Sequence, residues 1–298
     1  AVSRDRYVLH SAGVCHEGSW CEGYQGDLMQ VLNATTGAHL DAEGKDMLAN
    51  RSSKQMVAYN PQSNTFMLAN AAGSDIKGLQ FRAFTNGEYL PAGALFESWA
   101  DGRGKQGVTQ GTIRAVPGEG GFAAAWSFGA KDGSPDKLYF AKLTERGAFA
   151  TEPRVVFEGI GGTEVGAGLA ALGGGRWLVG YTAADRDIIQ DYMRVHWDDW
   201  GIPEEVRSGG SRLAVLDAEG RLLGAPVNVS ALGAPIPVEI NHLSARRGGI
   251  GWIAITGPGA TTFTVARLRC RRDGEEDHDD RDDDDDRHDD GDDGDDFV

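Results

Sequence analysis

A short apolar segment with strand character recurs five times along the chain, and this repeat constrains the fold more than any other feature. The spacing is about 55–60 residues three times and then about 75. The copies are YVLHSA from Tyr7, FMLANA from Phe66, FAAAWS from Phe122, WLVGYT from Trp177 and WIAITG from Trp252. Self-similarity at such a period marks a row of supersecondary units, none of which buries its apolar face alone. The sequence predicts an all-β fold, a β-propeller of five blades, each a four-stranded antiparallel sheet.

A glycine turn recurs after the predicted third strand of each blade and supports this interpretation. Its copies are Thr36–Leu40, Asn86–Leu90, Arg146–Ala150 and Glu219–Leu223. Glycine supplies the positive φ that a tight hairpin requires, so each copy predicts a hairpin between the third and fourth strands. A strand followed by a Gly, Asn or Pro turn precedes most of the apolar segments, as in Val57–Asn60. This order is typical of the first hairpin of a blade.

The two ends of the chain depart from the repeat. The first copy begins at its second strand, and the fifth has strands near residues 240–246, 250–256 and 262–269 before an acidic run. An unclosed sheet edge is a site for pairing with another chain. One hypothesis is therefore a structural subunit of an extracellular array or filament, whose incomplete end blades pair in a homo-assembly.

Charge divides the chain into two parts. Of the 298 residues 25% are charged and 40% hydrophobic, as in soluble globular proteins, and the formal net charge is −16. Residues 273–298 hold 17 acids and two arginines, whereas residues 1–272 hold 28 acids and 27 bases. The predicted division is a β-propeller over 1–272 and an Asp-rich acidic tail over 273–298. A near-neutral body with an acidic tail argues against nucleic acid, and no apolar run is long enough for a transmembrane segment.

The tail carboxylates predict cation binding. Hard cations such as Ca²⁺ prefer carboxylate oxygens, so weak, multiple calcium sites are expected, although the EF-hand pattern does not fit. The candidate ligands are Asp279, Asp280, Asp282, Asp284, Asp286, Asp289, Asp290 and Asp292. The alternative is a tail that only solubilises the protein, because blocks of like charge normally stay disordered.

Three cysteines bear on the cellular compartment. Cys15 and Cys21 lie six residues apart in a Gly-containing loop, a spacing that suits a small disulfide in an exported chain. The alternative is two reduced surface thiols. Cys270 is left over, either as a small buried hydrophobe or as a free thiol for an intermolecular bond. The chain begins at Ala1 rather than Met, which is the expectation after removal of an export signal.

One stretch resembles the blade repeat of secreted bacterial β-propeller proteins. The matching residues are Val57-Ala58-Tyr59-Asn60-Pro61, Asn64-Thr65-Phe66-Met67-Leu68, the Asn86-Gly87 turn and Asp217-Ala218-Glu219-Gly220. The resemblance covers most of residues 50–270, and its motif consists of turn and core residues. It implies the fold, a bacterial source and a secreted, extracellular or periplasmic location. It transfers no catalytic or ligand-binding residue.

Two enlarged loops, His16–Gly26 and Ala183–Gly210, combine aromatic rings with acids, and the larger loop also contains arginines. A ring stacks on the apolar face of a sugar while polar side chains bind its hydroxyls. The candidate ligand-binding residues are Trp197, Trp200, Asp187, Asp191, Tyr192, Asp198, Asp199, Trp20 and Tyr24, with Glu164 from a linker. The alternative is that Trp197 and Trp200 form a small core within the larger loop.

These features favour an extracellular, non-catalytic binding module that recognises a glycan or a cell-surface protein partner. A five-bladed glycoside hydrolase is the enzymatic alternative, and it needs carboxylates that converge near the central axis. Glu164, Asp101 and Glu239 are the candidates for that role. The sequence leans towards binding, since no carboxylates recur at matching strand positions.

Overall fold

A computed structural model describes fourteen stretches of the chain. They are residues 3–14, 25–40, 47–49, 55–71, 78–86, 88–91, 93–97, 108–128, 137–158, 167–182, 211–228, 243–246, 249–257 and 260–267. Within these stretches the protein is all-β, with no helix and therefore none that could cross a membrane. Ala1–Arg267 forms one unit, and the second unit, Leu268–Val298, lies outside the described residues.

The strands form five antiparallel sheets in chain order. The first sheet contains β1 (Arg6–Val14), β2 (Gln25–Asn33) and β3 (Met47–Ala49). The second contains β4 (Gln55–Asn60), β5 (Thr65–Ala71), β6 (Gly78–Phe84) and β7 (Ala94–Glu97). The third contains β8 (Val108–Ala115), β9 (Phe122–Phe128), β10 (Lys137–Leu143) and β11 (Arg154–Glu158). The fourth contains β12 (Ala167–Gly173), β13 (Arg176–Thr182), β14 (Ser211–Leu216) and β15 (Val227–Asn228). The fifth contains β16 (Ser244–Arg246), β17 (Gly249–Gly257) and β18 (Ala260–Arg267).

The repeated apolar segments lie in corresponding strands, as predicted: β1, β5, β9, β13 and β17. The glycine turns are also confirmed where they are described, because Gly37, Gly147 and Gly220 have φ values of 70°, 90° and 81°. Each of these turns is closed by a bridge from the end of the third strand, such as Leu143 to Phe149. The repeated apolar segments and the turn glycines therefore mark corresponding second strands and third-to-fourth hairpins in successive sheets.

The first and fifth sheets each have three described strands, whereas the three sheets between them have four. In the first sheet, the bridge from Leu32 to His39 corresponds to the bridge from Phe84 to Tyr89 in the second sheet. Thus β2 is a third strand and β1 a second strand, as the departure of the first repeat indicated. The fifth sheet has the equivalents of the first, second and third strands.

The sheets stand side by side in a propeller-like arrangement. The first strands of neighbouring sheets, β4, β8, β12 and β16, lie next to one another. The hairpin turns also meet at one end of the sheets, since the side-chain amide of Asn60 donates to the carbonyls of Glu119 and Gly121 at 2.9 and 2.5 Å. We call this the turn end. The opposite ends of the strands form the loop end.

Apolar side chains fill the space between successive sheets. In β9 the side chains alternate: Phe122, Ala124 and Trp126 pack towards the second sheet, whereas Ala123 and Ala125 pack towards the fourth. Because a strand places successive side chains on opposite faces, one apolar segment serves two cores. This explains why the repeated segments are continuous apolar runs rather than alternating ones.

Candidate functional site

The residues that the sequence predicted to bind ligands lie outside the described part of the chain. This holds for the aromatic and acidic residues of both enlarged loops, for Glu164, for Cys15 and Cys21 with the leftover Cys270, and for the eight tail aspartates. Among the described residues, no group of three or more His, Cys, Asp or Glu side chains is placed to hold a metal ion. The candidate site is therefore built from the strands to which the predicted loops are attached.

The larger loop is attached at the loop end of the fourth sheet. β13 ends at Thr182 and β14 begins at Ser211, so the chain that carries Trp197 and Trp200 leaves and re-enters this sheet between paired residues. The segment with Glu164 joins the end of β11 to the start of β12, which also lie at the loop end.

A row of three side chains crosses the fourth sheet directly beneath these attachment points. Tyr181 pairs with Arg212, and Arg212 pairs with Asn228 on the next strand. Cross-strand partners share one face of a sheet, so the phenol, the guanidinium and the amide lie side by side. Phe157 of the third sheet packs on this row, with its ring centroid 4.5 Å from that of Tyr181 and the planes tilted by 40°. We call these four residues the Arg212 site.

Burial and hydrogen bonding set the charge of this site. Tyr181 is only 2% exposed, and burial raises the pKa of its hydroxyl, while a hydrogen bond from Arg212 lowers it in part. The phenol therefore stays neutral at physiological pH and accepts from the guanidinium. Arg212 itself is exposed, and its guanidinium has further N–H donors beyond the one that bonds to Tyr181.

This arrangement provides the chemical groups that a sugar requires. Phe157 is partly exposed and offers an apolar ring, and the guanidinium of Arg212 and the amide of Asn228 offer donors and an acceptor. The site can hold a hydroxylated ring against the edge of the fourth sheet.

A corresponding aromatic cluster lies between the second and third sheets, also towards the loop end. Phe96 contacts Trp126 and Tyr139, with centroid distances of 5.2 and 4.7 Å, and Trp126 stacks on Tyr139 at 5.7 Å and 12°. At the rim, the ammonium of Lys137 lies 2.8 Å from the carboxylate of Glu158. Burial raises the pKa of the Tyr139 hydroxyl. The two spaces between neighbouring sheets, which we call grooves, are thus built alike. In each one, an aromatic ring from the fourth strand of one sheet packs on an aromatic residue of the next sheet.

A buried arginine, Arg6, and a partly buried one, Arg114, have a different role, because they connect sheets. Arg6 is 4% exposed and bonds to turns of the second sheet. Arg114 extends from β8 to the carbonyl of Leu243 at 3.4 Å, and burial lowers the pKa of its guanidinium. These contacts lie away from the Arg212 site and stabilise the arrangement of sheets.

Sequence reasoning missed Phe157, Tyr181 and Arg212. Their signal is positional: Tyr181 is the penultimate residue of a repeated apolar segment, and Arg212 follows the larger loop by two residues. Side chains at such positions lie where a loop joins its sheet. An aromatic residue and a charged residue that flank an insertion are therefore candidates for its binding surface.

No family model and no curated protein matches the chain. Among solved structures, it is similar to the Bacteroides ovatus xyloglucan PUL GH43B protein (15% identity, TM-score 0.41, 71% of this chain and 38% of that one). It is also similar to a GH43 endo-arabinanase from Bacillus licheniformis (13%, 0.39, 74% of each) and to the Aleuria aurantia lectin (10%, 0.37, 89% and 79%). The chain thus spans less than half of the Bacteroides protein. Similarity at this level assigns neither a family nor an activity.

Proposed function

We propose that the protein is an extracellular, non-catalytic binding module, and that its ligand is a glycan bound at the loop end of the fourth sheet. One observation carries the proposal: Tyr181, Arg212 and Asn228 form a row under Phe157 where the Trp-rich loop joins the sheet. An apolar ring beside oriented donors and acceptors matches the two kinds of surface on a pyranose. The loop residues Trp197, Trp200, Asp187 and Asp191 complete the site in this proposal.

The proposed architecture is a closed, five-bladed β-propeller. The five consecutive antiparallel sheets and the adjacent first strands of the second to fifth sheets support it. The glycans of cell surfaces and secreted polymers are the expected ligands of an exported protein with this architecture, and the Cys15–Cys21 disulfide belongs to the same proposal. Mass spectrometry with and without reductant tests the disulfide.

A glycan-array screen of the purified full chain tests the binding function. The array is probed with calcium and with chelator, and each captured glycan is then analysed for cleavage. The proposal predicts saturable binding to a related set of glycans with no product. Cleavage of a bound glycan would instead establish the glycoside hydrolase, and silence in both conditions would refute the glycan ligand.

Matched variants link any binding to the site. Arg212→Ala removes the guanidinium of the site. The control, Arg221→Ala, removes an arginine at the turn end of the same sheet, where the Arg221 side chain is 62% exposed. Binding should fall for the first variant and persist for the second. Equal effects would show that binding depends on net charge rather than on this site.

We also propose that the acidic tail binds Ca²⁺ weakly at several sites. Carboxylates at high density attract hard divalent cations, and their mutual repulsion falls as cations bind. Isothermal titration of the full chain with Ca²⁺ should give weak, multiple binding that disappears when the eight tail aspartates are changed to Asn. Identical titrations of the wild type and the Asn variant would show that the tail aspartates do not bind Ca²⁺, and the tail would then serve only to solubilise the protein.

Assembly through the end sheets is the second candidate function. The observation that favours it is β1, a nine-residue strand that pairs with β2 and lies at the edge of its sheet within the described residues. Leu9 on this strand is 48% exposed. An exposed edge strand pairs readily with a strand of another chain. If the protein assembles in this way, light scattering should give a mass above the 31.8 kDa of one chain, and Leu9→Lys should reduce the mass to that value. A monomeric wild-type chain would exclude this function.

A further inference from the structure

The groove between the second and third sheets contains a buried donor without an acceptor. Trp126 is fully buried, and its indole Nε1 has no hydrogen-bond partner in the described structure. Buried polar groups in native proteins are normally paired, and an exception requires a specific explanation. Its surroundings are aromatic: Phe81 lies 5.5 Å from the indole, edge to face, and Phe96 and Tyr139 pack on it as described above. An apolar enclosure of this kind gives a buried water too few polar partners.

The equivalent groove shows what this donor lacks. By strand register, Trp126 corresponds to Tyr181, Tyr139 corresponds to Arg212, and Phe96 corresponds to Phe157. In the Arg212 site the cross-strand neighbour satisfies the buried aromatic group, because Arg212 donates to the Tyr181 hydroxyl. In the other groove the neighbour is a stacked ring, so the indole N–H needs an acceptor from outside the groove.

The rim of this groove carries polar groups that suit the same kind of ligand. The hydroxyl of Tyr139 lies within electrostatic range of the Lys137–Glu158 pair, which closes the loop end of the third sheet. A phenol, an ammonium and a carboxylate together both donate and accept hydrogen bonds. Since the ammonium and the carboxylate neutralise each other, the rim favours a neutral hydroxylated ligand over a charged one.

We propose that this groove is a second binding site, in which a hydroxyl of a neutral sugar accepts a hydrogen bond from Trp126 Nε1. Tyr139 and Phe96 are the partly buried members of the aromatic cluster, and rotation of the Tyr139 ring to the surface opens the space beside the indole. The sugar then lies at the edge of the indole, where one hydroxyl meets the N–H, while Lys137 and Glu158 bind its outer hydroxyls. The site lies on the third sheet and is independent of Arg212, so it goes beyond the proposed function.

Indole N–H resonances of the ¹⁵N-labelled full chain test the proposal directly. The probes are the neutral methyl glycosides of glucose, galactose, mannose, xylose and arabinose, with glycerol as a control that has hydroxyls but no ring. Trp126→Phe assigns the resonance, and Trp177→Phe is the matched control, because Trp177 is an equally buried indole at the turn end of the fourth sheet. We expect one glycoside to move the Trp126 resonance in a saturable manner and glycerol to leave it unchanged.

Variants distinguish this site from the Arg212 site. Trp126→Phe should weaken the binding of that glycoside by about tenfold, which corresponds to the loss of one hydrogen bond. Tyr139→Ala should strengthen its binding, because no ring has to be displaced. Arg212→Ala should leave the Trp126 shift unchanged. If no glycoside moves the Trp126 resonance in the wild type or in Tyr139→Ala, the second site is refuted. In that case, glycan binding that depends on Arg212 would still support the proposed function. Conversely, a Trp126 shift without any Arg212-dependent binding would refute the proposed function and leave the second site supported.

Discussion

Arg6 and Asn64 are hydrogen-bonded although 58 residues separate them in sequence. The guanidinium of Arg6 donates to both the side-chain oxygen and the backbone carbonyl of Asn64, which has a φ of 55°. Its other arm donates to Asn86 at 3.0 Å, and its Cζ atom lies 5.2 Å from the Phe66 ring. One residue of the first sheet thus binds two turns of the second.

Loss of this arginine should destabilise the protein strongly. Arg6→Ala removes three hydrogen bonds from a buried guanidinium to Asn64 and Asn86 and its cation–π contact with Phe66, so we expect the free energy of unfolding to fall by about 3 kcal/mol. Urea titration followed by circular dichroism measures this difference. Arg221→Ala, at an exposed arginine, should change it by less than about 0.5 kcal/mol. A similar small change for both variants would contradict the role assigned to Arg6.

Three glycines separate backbone strain from steric contact. A Cβ at residue 224 meets no atom within 4 Å, and Gly224 has no positive φ. Gly173 has a φ of 85° and lies in open space. Gly220 has a φ of 81°, and a Cβ there would overlap the Phe140 ring. We expect losses of about 0, 1 and 3 kcal/mol on substitution to Ala in that order, because strain and overlap add only at Gly220. Thermal unfolding monitored by circular dichroism gives the ranking. Equal losses at Gly173 and Gly220 would show that the glycine turn does not pack on the third sheet.

Asn60 provides a test that depends on pH. Its amide donates to two carbonyls of the next sheet and its oxygen accepts from the Gln62 N–H at 2.9 Å. Asn60→Asp places a carboxylate against those two carbonyl oxygens, so the folded state favours the protonated acid and the pKa of residue 60 rises. Stability of this variant should therefore increase as pH falls through that pKa, whereas Asn60→Ala should lose about 2 kcal/mol at every pH. Parallel pH profiles of the two variants would contradict the contact.

Tyrosine ionisation should reduce stability at alkaline pH. Burial raises the pKa of Tyr139 and Tyr181 above the ordinary value, so the folded chain retains protons that the unfolded chain releases. Stability is therefore complete below about pH 10 and falls as pH rises further. Phenolate absorbance should show one late-titrating group fewer in Tyr181→Phe, and that variant should lose less stability between neutral and alkaline pH. An unchanged titration would indicate that Tyr181 is open to solvent.

The sequence predicts most of this fold because the repeat depends on local turn geometry and on the burial of single strands. Positive φ at Gly37, Gly147 and Gly220 and the continuous apolar strands follow from turn geometry and two-sided burial, and both are visible in single segments. Contacts between sheets are not visible in this way. The bond from Arg6 to Asn64 joins distant segments whose spacing carries no periodic signal.

The site illustrates the same limit. The enlarged loop between Ala183 and Gly210 stands out by its length and its tryptophans, but its partners on the strands do not. Tyr181 looks like one more core residue, and Arg212 looks like an exposed charge. Only the register of β13 with β14 brings them together.

Titration of the glycan selected on the array into three proteins measures what Arg212 contributes to binding. The proteins are the wild type, Arg212→Ala and Arg221→Ala, and the quantity measured is the dissociation constant by calorimetry. We expect Arg212→Ala to weaken binding by about tenfold or more, since it removes a charge-assisted donor, and Arg221→Ala to bind like the wild type. Unchanged affinity in Arg212→Ala would contradict this expectation and place the ligand elsewhere on the protein.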